Sequence, residues 1–361
     1  MENLVTMLTV YKNRKVFITG HTGFKGSWLS AFLNFLGAEQ VGFSKEPNTN
    51  PSHFEILKPN NISIIGDILD AAQLNESISK FQPEILFHLA AQPLVRESYK
   101  NPTYTYETNV IGTLNVLEAV RNCPSVKAVV IITTDKVYEN KEWLFPYREN
   151  DELGGYDIYS SSKACTEILV KSYQRSFFNL YSYKNTHHTL IATVRAGNVI
   201  GGGDWSVDRL VPDIIKATIE KKATKIRNPD SVRPWQHVLD CLHGYLLLGE
   251  KLLKEETDYA NAWNFAPYSF ESMKVKEVAG VAKTVWEDIN IVFERIPNDL
   301  HEANILKLDN SKATSLLGWR PTWDSKTAIK KTIEWYKEYY LNNQVLTYTQ
   351  IQEFCLANGI Y

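Results

Sequence analysis

Lys15-Val-Phe-Ile-Thr-Gly20-His-Thr-Gly23-Phe-Lys-Gly26 is the stretch on which the fold turns. Lys15 to Thr19 is a short β-branched, apolar run of strand length, too short to target the chain or to span a bilayer. Glycines follow at 20, 23 and 26, and helical apolar spacing begins at once, with Leu29, Phe32, Leu33 and Leu36 on one face. A glycine turn between strand and helix lets the backbone bend tightly and approach a pyrophosphate, while free N–H groups at the helix start favour its charge. Gly20, Thr22, Gly23, Phe24, Lys25 and Gly26 are therefore candidate dinucleotide contacts. Without strand and helix around it, such a turn would mark only a bend.

Outward from this unit, β-branched runs alternate with amphipathic stretches. Val16–Thr19, Ser63–Ile65, Ile85–Leu89, Val126–Thr133 and Thr189–Val194 read as buried parallel strands; segments near Lys25–Leu36, Ala71–Phe81, Tyr104–Asn122 and Ser160–Phe178 read as helices. The alternation predicts an α/β fold, a doubly wound parallel sheet of Rossmann type with a smaller C-terminal substrate-binding domain. Residues 1–195 are expected to form the dinucleotide-binding domain and 196–361 mainly the substrate-binding one, with later segments returning to the first.

Composition narrows the function. The 361 residues are 44% hydrophobic, enough for a sizeable core, and 39 basic residues stand against 41 acidic ones. A net charge of −2 gives no field to hold nucleic acid or an anionic membrane. Cys123, Cys165, Cys241 and Cys355 lack the spacing of a metal or disulfide framework, so no metal is expected and a reducing, cytoplasmic setting fits.

Two features bear on a nucleotide cofactor and its chemistry. The second strand ends Val41-Gly-Phe-Ser-Lys45, without the acid that usually meets the 2′-hydroxyl of NAD, and Lys45 would suit a 2′-phosphate, so this end leaves NAD and NADP both open. Asp67 and Ile68, after the third strand, are candidates for the adenine edge. In Tyr159-Ser-Ser-Ser-Lys163 the spacing of four puts phenol and ammonium one helical turn apart on one face. A tyrosine with pKa near 10 becomes a base at neutral pH only if about three units, roughly 4 kcal/mol, favour its phenolate. Lys163 and a cationic nicotinamide ring together would supply that.

Gly20-x-x-Gly23-x-x-Gly26, Leu89-Ala90-Ala91, Asn109, Thr134 and Tyr159-x-x-x-Lys163 together resemble the extended short-chain dehydrogenase/reductases, over nearly the whole chain. The resemblance implies NAD as cofactor, with Leu89, Ala90, Ala91 and Asn109 beside it. Thr134 would steady the substrate, Tyr159 would take the proton of a sugar 4-hydroxyl, and Lys163 would hold the nicotinamide ribose. Thr133-Thr-Asp135-Lys136 resembles the nucleotide-sugar 4,6-dehydratase branch, where an acid protonates the leaving 6-hydroxyl; Asp135 takes that role. Lys136 stands where the dTDP-glucose branch has a glutamate, and is either a neutral base or an electrostatic stabiliser of an enolate.

Beyond the sheet, Arg195-Ala-Gly-Asn198-Val-Ile-Gly-Gly-Gly-Asp204-Trp205, Arg209 and Arg233-Pro-Trp235 look built for a diphosphate and its nucleoside: arginine forks for phosphate oxygens, glycines for close approach, Trp205 or Trp235 to stack on a base or line a sugar. Together with Ala90-Ala-Gln92-Pro-Leu-Val-Arg96, these motifs imply CDP-glucose as substrate, a base choice that rests on resemblance alone. Gln92, Arg96, Asn198, Asp204, Arg209, Arg233 and His301 are the candidate substrate contacts. The same resemblance implies a homodimer through the helices near Tyr104–Asn122 and Ser160–Phe178. Rival readings are a dehydratase or 4-epimerase of another nucleotide sugar, and a non-catalytic nucleotide sensor.

Overall fold

In the computed structural model, which describes residues 8–226, 228–268, 273–294 and 305–360, seven strands form one parallel sheet. They are β1 (Lys15–Thr19), β2 (Glu39–Ser44), β3 (Ile62–Ile65), β4 (Ile85–His88), β5 (Ala128–Ile132), β6 (Leu190–Ala196) and β7 (Ala262–Phe265), in the spatial order β7-β6-β5-β4-β1-β2-β3. The chain builds outward from β1 on one side, then returns to build from β4 on the other. The connections therefore part between β1 and β4 and leave a crevice at the carboxyl ends of these strands, where doubly wound sheets bind ligands.

Strand alternation sends successive side chains to opposite faces, and both faces are buried. Val16 and Ile18 of β1 and Ala128, Val130 and Ile132 of β5 join Trp28, Leu29 and Phe32 of α1 (Phe24–Phe35) in one core. Phe17, Val41, Val129 and Ile131 point the other way, against Leu74 and Ile78 of α2 (Ala71–Phe81), Val116 and Leu117 of α3 (102–121) and Val170 of α4 (Ile158–Ser176). Inside α3 the ladder widens to a π-helical turn over Glu107–Ile111, a feature common near functional sites. Asp157 starts α4 by accepting the Ser160 amide at 2.9 Å.

Ser63–Ile65, expected as a buried strand, lies instead at the sheet edge: Ile62 is 64% and Ile65 44% exposed. A β-branched run is shared by edge and central strands, so the run alone does not tell them apart. Residues after 196 contribute β7 to the sheet. They also contribute α5 (Leu210–Ile219), α6 (Val238–Leu253), α7 (Ser325–Asn342) and α8 (Thr347–Asn358), all four of which pack into the α1 core. Short pairings, Val199–Ile200 with Gln236–His237 and Thr224–Ile226 with Ile291–Phe293, hold an arm beyond the strand ends. Among the described residues no helix is long and apolar enough to cross a membrane.

Candidate active site

A cavity of about 780 Å³ runs along the carboxyl ends of the strands. Gly20, at its floor, has φ +78°, and a Cβ there would stand 2.6 Å from the Ala90 nitrogen. Gly26 is tighter still: its Cβ would lie 2.1 Å from the Gly20 carbonyl oxygen, so the first turn of α1 can rest on the loop only as glycine. Thr22 Oγ1 donates to the Lys45 carbonyl at 2.8 Å and lies 2.8 Å from the Ser44 hydroxyl, tying the turn to the end of β2. At that end Lys45 Nζ pairs with Asp67 Oδ2 at 3.0 Å. Thr22 through Gly26, Asp67, Ile68, Leu89, Ala90 and Ala91 all line the cavity.

Midway, the strand end and α4 converge. Thr134, Asp135, Lys136, Tyr159 and Lys163 line the same space. Thr134 Oγ1 donates to Asp135 Oδ1 at 3.0 Å and accepts the Lys136 amide at 3.4 Å, closing the short 3-10 turn Asp135–Val137. Asp135 is buried, its Oδ2 has no hydrogen-bond partner among the described residues, and it sits where a Cβ on Gly197 would reach 2.0 Å. Burial raises the Asp135 pKa, against the pull of Lys136, the Thr134 hydroxyl, Arg233 and Lys25.

Burial also pushes the Tyr159 phenol up to about 12, only partly countered by Thr134. Lys163 donates to the Ile132 carbonyl at 3.2 Å, and burial, then repulsion from Lys25, lowers it to about 8. The protein groups alone thus leave Tyr159 a weak acid, so a role as base would need a further cation beside it. Lys25, whose pKa burial also lowers, makes no ion pair among the described residues. Two mutually repelling ammonium groups in a buried groove beside a glycine turn fit an anionic dinucleotide such as NAD.

At the far end Asn198, Arg209, Arg233, Asp204, Arg96 and Trp235 line the cavity. Asn198 takes a left-handed φ of +41°. Arg209 Nη1 lies 3.3 Å from Asp204 Oδ2, and Arg96 Nε 3.8 Å from Asp208 Oδ1. Asp204 Oδ1 also accepts the Ser206 amide at 3.0 Å, so this acid organises the loop that presents Arg209.

Other expected contacts are engaged elsewhere. Gln92 and Asn109 hold each other: Asn109 Oδ1 accepts the Gln92 amide at 2.9 Å, its Nδ2 donates to Ser162 at 2.9 Å, and the Gln92 amide group grips Leu94 and Thr105. They brace the loop after β4 and do not line the cavity. Arg195, read as a phosphate fork, is buried on Glu167, and Trp205 packs edge-on against Trp335 and Tyr336. His301 lies outside the described residues. Glu167 escaped the sequence reading, although it continues the spacing Tyr159, Lys163 by another four residues.

A glycine-turn groove, a Tyr-Lys pair one helical turn apart and a buried acid at the fifth strand end thus meet in one cavity. The chain belongs to the GDP-mannose 4,6 dehydratase family, whose model matches residues 17–332. It is 46% identical over 338 residues to a CDP-glucose 4,6-dehydratase of Salmonella typhimurium, covering 93% of this chain and 94% of that protein. Among solved structures it resembles a dTDP-glucose 4,6-dehydratase of Bacillus anthracis in complex with NAD, with TM-score 0.72, 21% identity and coverage of 90% and 97%. It also resembles a UDP-glucose 4-epimerase of Thermotoga maritima with UDP-glucose, with TM-score 0.77, 23% identity and coverage of 90% and 99%.

Proposed function

We propose that this protein converts CDP-D-glucose to CDP-4-dehydro-6-deoxy-D-glucose and water, a hydro-lyase reaction with NAD as a bound prosthetic group. The observation that carries this reading is the meeting of Thr134, Asp135 and Lys136 with Tyr159 and Lys163 in one cavity, in a chain 46% identical to a CDP-glucose 4,6-dehydratase. NAD, when bound, supplies reversible oxidation at sugar carbon 4 and is regenerated each turnover.

The chain's own residues divide the remaining work. Gly20 to Gly26 and Lys25 receive the cofactor diphosphate, Asp67 and Ile68 the adenine end, and Lys163 the ribose beside Tyr159. The Lys45–Asp67 pair favours NAD over NADP, because the ammonium is already engaged and the carboxylate repels a 2′-phosphate. Thr134 and Tyr159 orient the 4-hydroxyl, and Tyr159 takes its proton. The carbon 4 ketone acidifies the carbon 5 hydrogen. Asp135, buried and biased towards its protonated form, gives its proton to the departing 6-hydroxyl. Lys136, beside it, either takes the carbon 5 proton or stabilises the enolate that its removal leaves. Asn198, Arg209 and Arg233 receive the sugar diphosphate.

A 4-epimerase needs no acid at carbon 6, and a nucleotide sensor needs none of this proton chemistry, so Asp135 favours dehydration over both. Four free cysteines fit a cytoplasmic enzyme. Pairing of two copies through α3 and α4 is supported by the apolar surface these neighbours leave open, Ile111 at 46% and Ile168 at 58%. Incubation with CDP-, dTDP-, GDP- and UDP-hexoses, followed by mass spectrometry, tests the function: loss of one water from CDP-glucose is expected, and an unchanged CDP-glucose overturns it.

A further inference from the structure

Tyr159, Lys163 and Glu167 stand at successive turns on one face of α4. The first two reach the cavity; the third lies below it and is joined to Arg195 of β6, each side chain only 3% exposed. Arg195 Nε and Nη2 donate to Glu167 Oε1 and Oε2 at 3.0 and 2.8 Å. Each carboxylate oxygen also accepts a threonine hydroxyl, Thr133 at 2.5 Å and Thr193 at 2.8 Å. The remaining arginine nitrogen, Nη1, donates to the Tyr138 hydroxyl at 2.8 Å and the Glu149 carbonyl at 3.1 Å. Tyr138 in turn donates to Asn264 of β7 at 2.7 Å.

Thr133 and Tyr138 are the residues that flank Thr134–Val137. The ion pair therefore holds the turn bearing Thr134, Asp135 and Lys136 at both ends, and anchors it to the helix bearing Tyr159 and Lys163. A buried ion pair adds little net stability over apolar residues of the same volume, because desolvating two charges offsets their attraction. What apolar residues cannot supply is directional bonding to both ends of a turn. We propose that Glu167 and Arg195 are positioning residues that fix the aim of the Thr134-Asp135-Lys136 turn against Tyr159 and Lys163, a role that rests on the dehydratase function proposed above. Neither lines the cavity, so they act on substrate only through the groups they hold.

The test compares Glu167→Gln and Arg195→Met with the double variant, since either single change leaves one buried group without its partner. The singles are expected to melt lower, and the double to recover most of the parent melting temperature. The double should still lose kcat for CDP-glucose by about tenfold or more with KM within about threefold, because misplacing reacting groups costs rate rather than binding. A double variant with recovered melting and kcat within about threefold of the parent overturns the proposal. A parent inactive on every nucleotide sugar refutes the function instead. The positioning role is then read from a crystal structure of the double variant: Asp135 displaced by about 1 Å supports it, and Asp135 in place overturns it.

Discussion

Asp135 is a carboxyl buried with one oxygen unpartnered among the described residues, and burial holds it towards the protonated form against several nearby cations. Asp135→Asn keeps the shape and removes the proton, so kcat is expected to fall by about 10² to 10⁴ while the melting temperature holds or rises. In the parent, activity should decline as pH rises through the Asp135 pKa, and a variant matching the parent rate would remove it from the mechanism. Lys163 gives a separate sign. Its pKa falls from the usual 10.5 to about 8, through burial first and Lys25 second. Between these values the unfolded chain holds a proton that the folded one has shed, so stability rises with pH across that window, by about 3 kcal/mol. Urea unfolding of parent and Lys163→Met at pH 8 and pH 10 should show the parent gaining on the variant; parallel curves would contradict the shift. The Tyr159, Lys163, Asp135 constellation was legible in sequence because spacing and strand position carry it. The surroundings of Arg195, Gln92 and Asn109 were not legible for one reason: the sequence shows donors and acceptors, but not the Glu167 carboxylate and loop amides that they bond in the fold.

The turn into α1 shows what an element adds to a motif. Gly20, Gly23 and Gly26 look equivalent in the sequence, yet a Cβ on Gly23 would meet the Gly20 oxygen at 3.4 Å, ordinary contact, and one on Gly26 would meet it at 2.1 Å. Gly23 is also the helix N-cap in extended backbone, which any residue adopts. Gly26→Ala is therefore expected to cost about 1–3 kcal/mol by overpacking backbone against backbone. Gly23→Ala should cost less, about 0.5–1 kcal/mol for the poorer N-cap, but weaken NAD binding, because the free approach of a diphosphate is lost. Chemical denaturation paired with calorimetric titration of NAD separates the two, and equal destabilisation by both would contradict the geometry. The placement of β3, expected as a buried strand, was the element misread, since nothing in Ile62–Ile65 records that no further strand follows it.

Across the whole molecule, the alternation of strands and helices made the doubly wound sheet legible as far as β6. The return of β7 was less so, because Ala262-Trp-Asn-Phe265 is short and follows a long excursion of the chain through α5, α6 and the short pairings of the arm. The closed core that results has a consequence for acid. Of eight histidines, His21 and His243 are lowered by burial to about 4. His53, His88 and His237 are lowered by burial to about 3. Each is neutral when folded and gains a proton near 6.5 when unfolded, so stability is present above 6.5 and is lost as pH falls. At pH 5 each ring withdraws about 2 kcal/mol, and five together on the order of 10 kcal/mol, comparable with the whole stability of a domain. Asp135 and Glu149, raised by burial, act in the opposite sense but number two against five. Unfolding followed by circular dichroism is therefore expected between about pH 6 and pH 5 with uptake of several protons. In His243→Leu, which deletes a ring with both nitrogens unpartnered among the described residues, the midpoint should move to lower pH. Full stability retained at pH 5 would mean that these rings reach water or partners in the folded state.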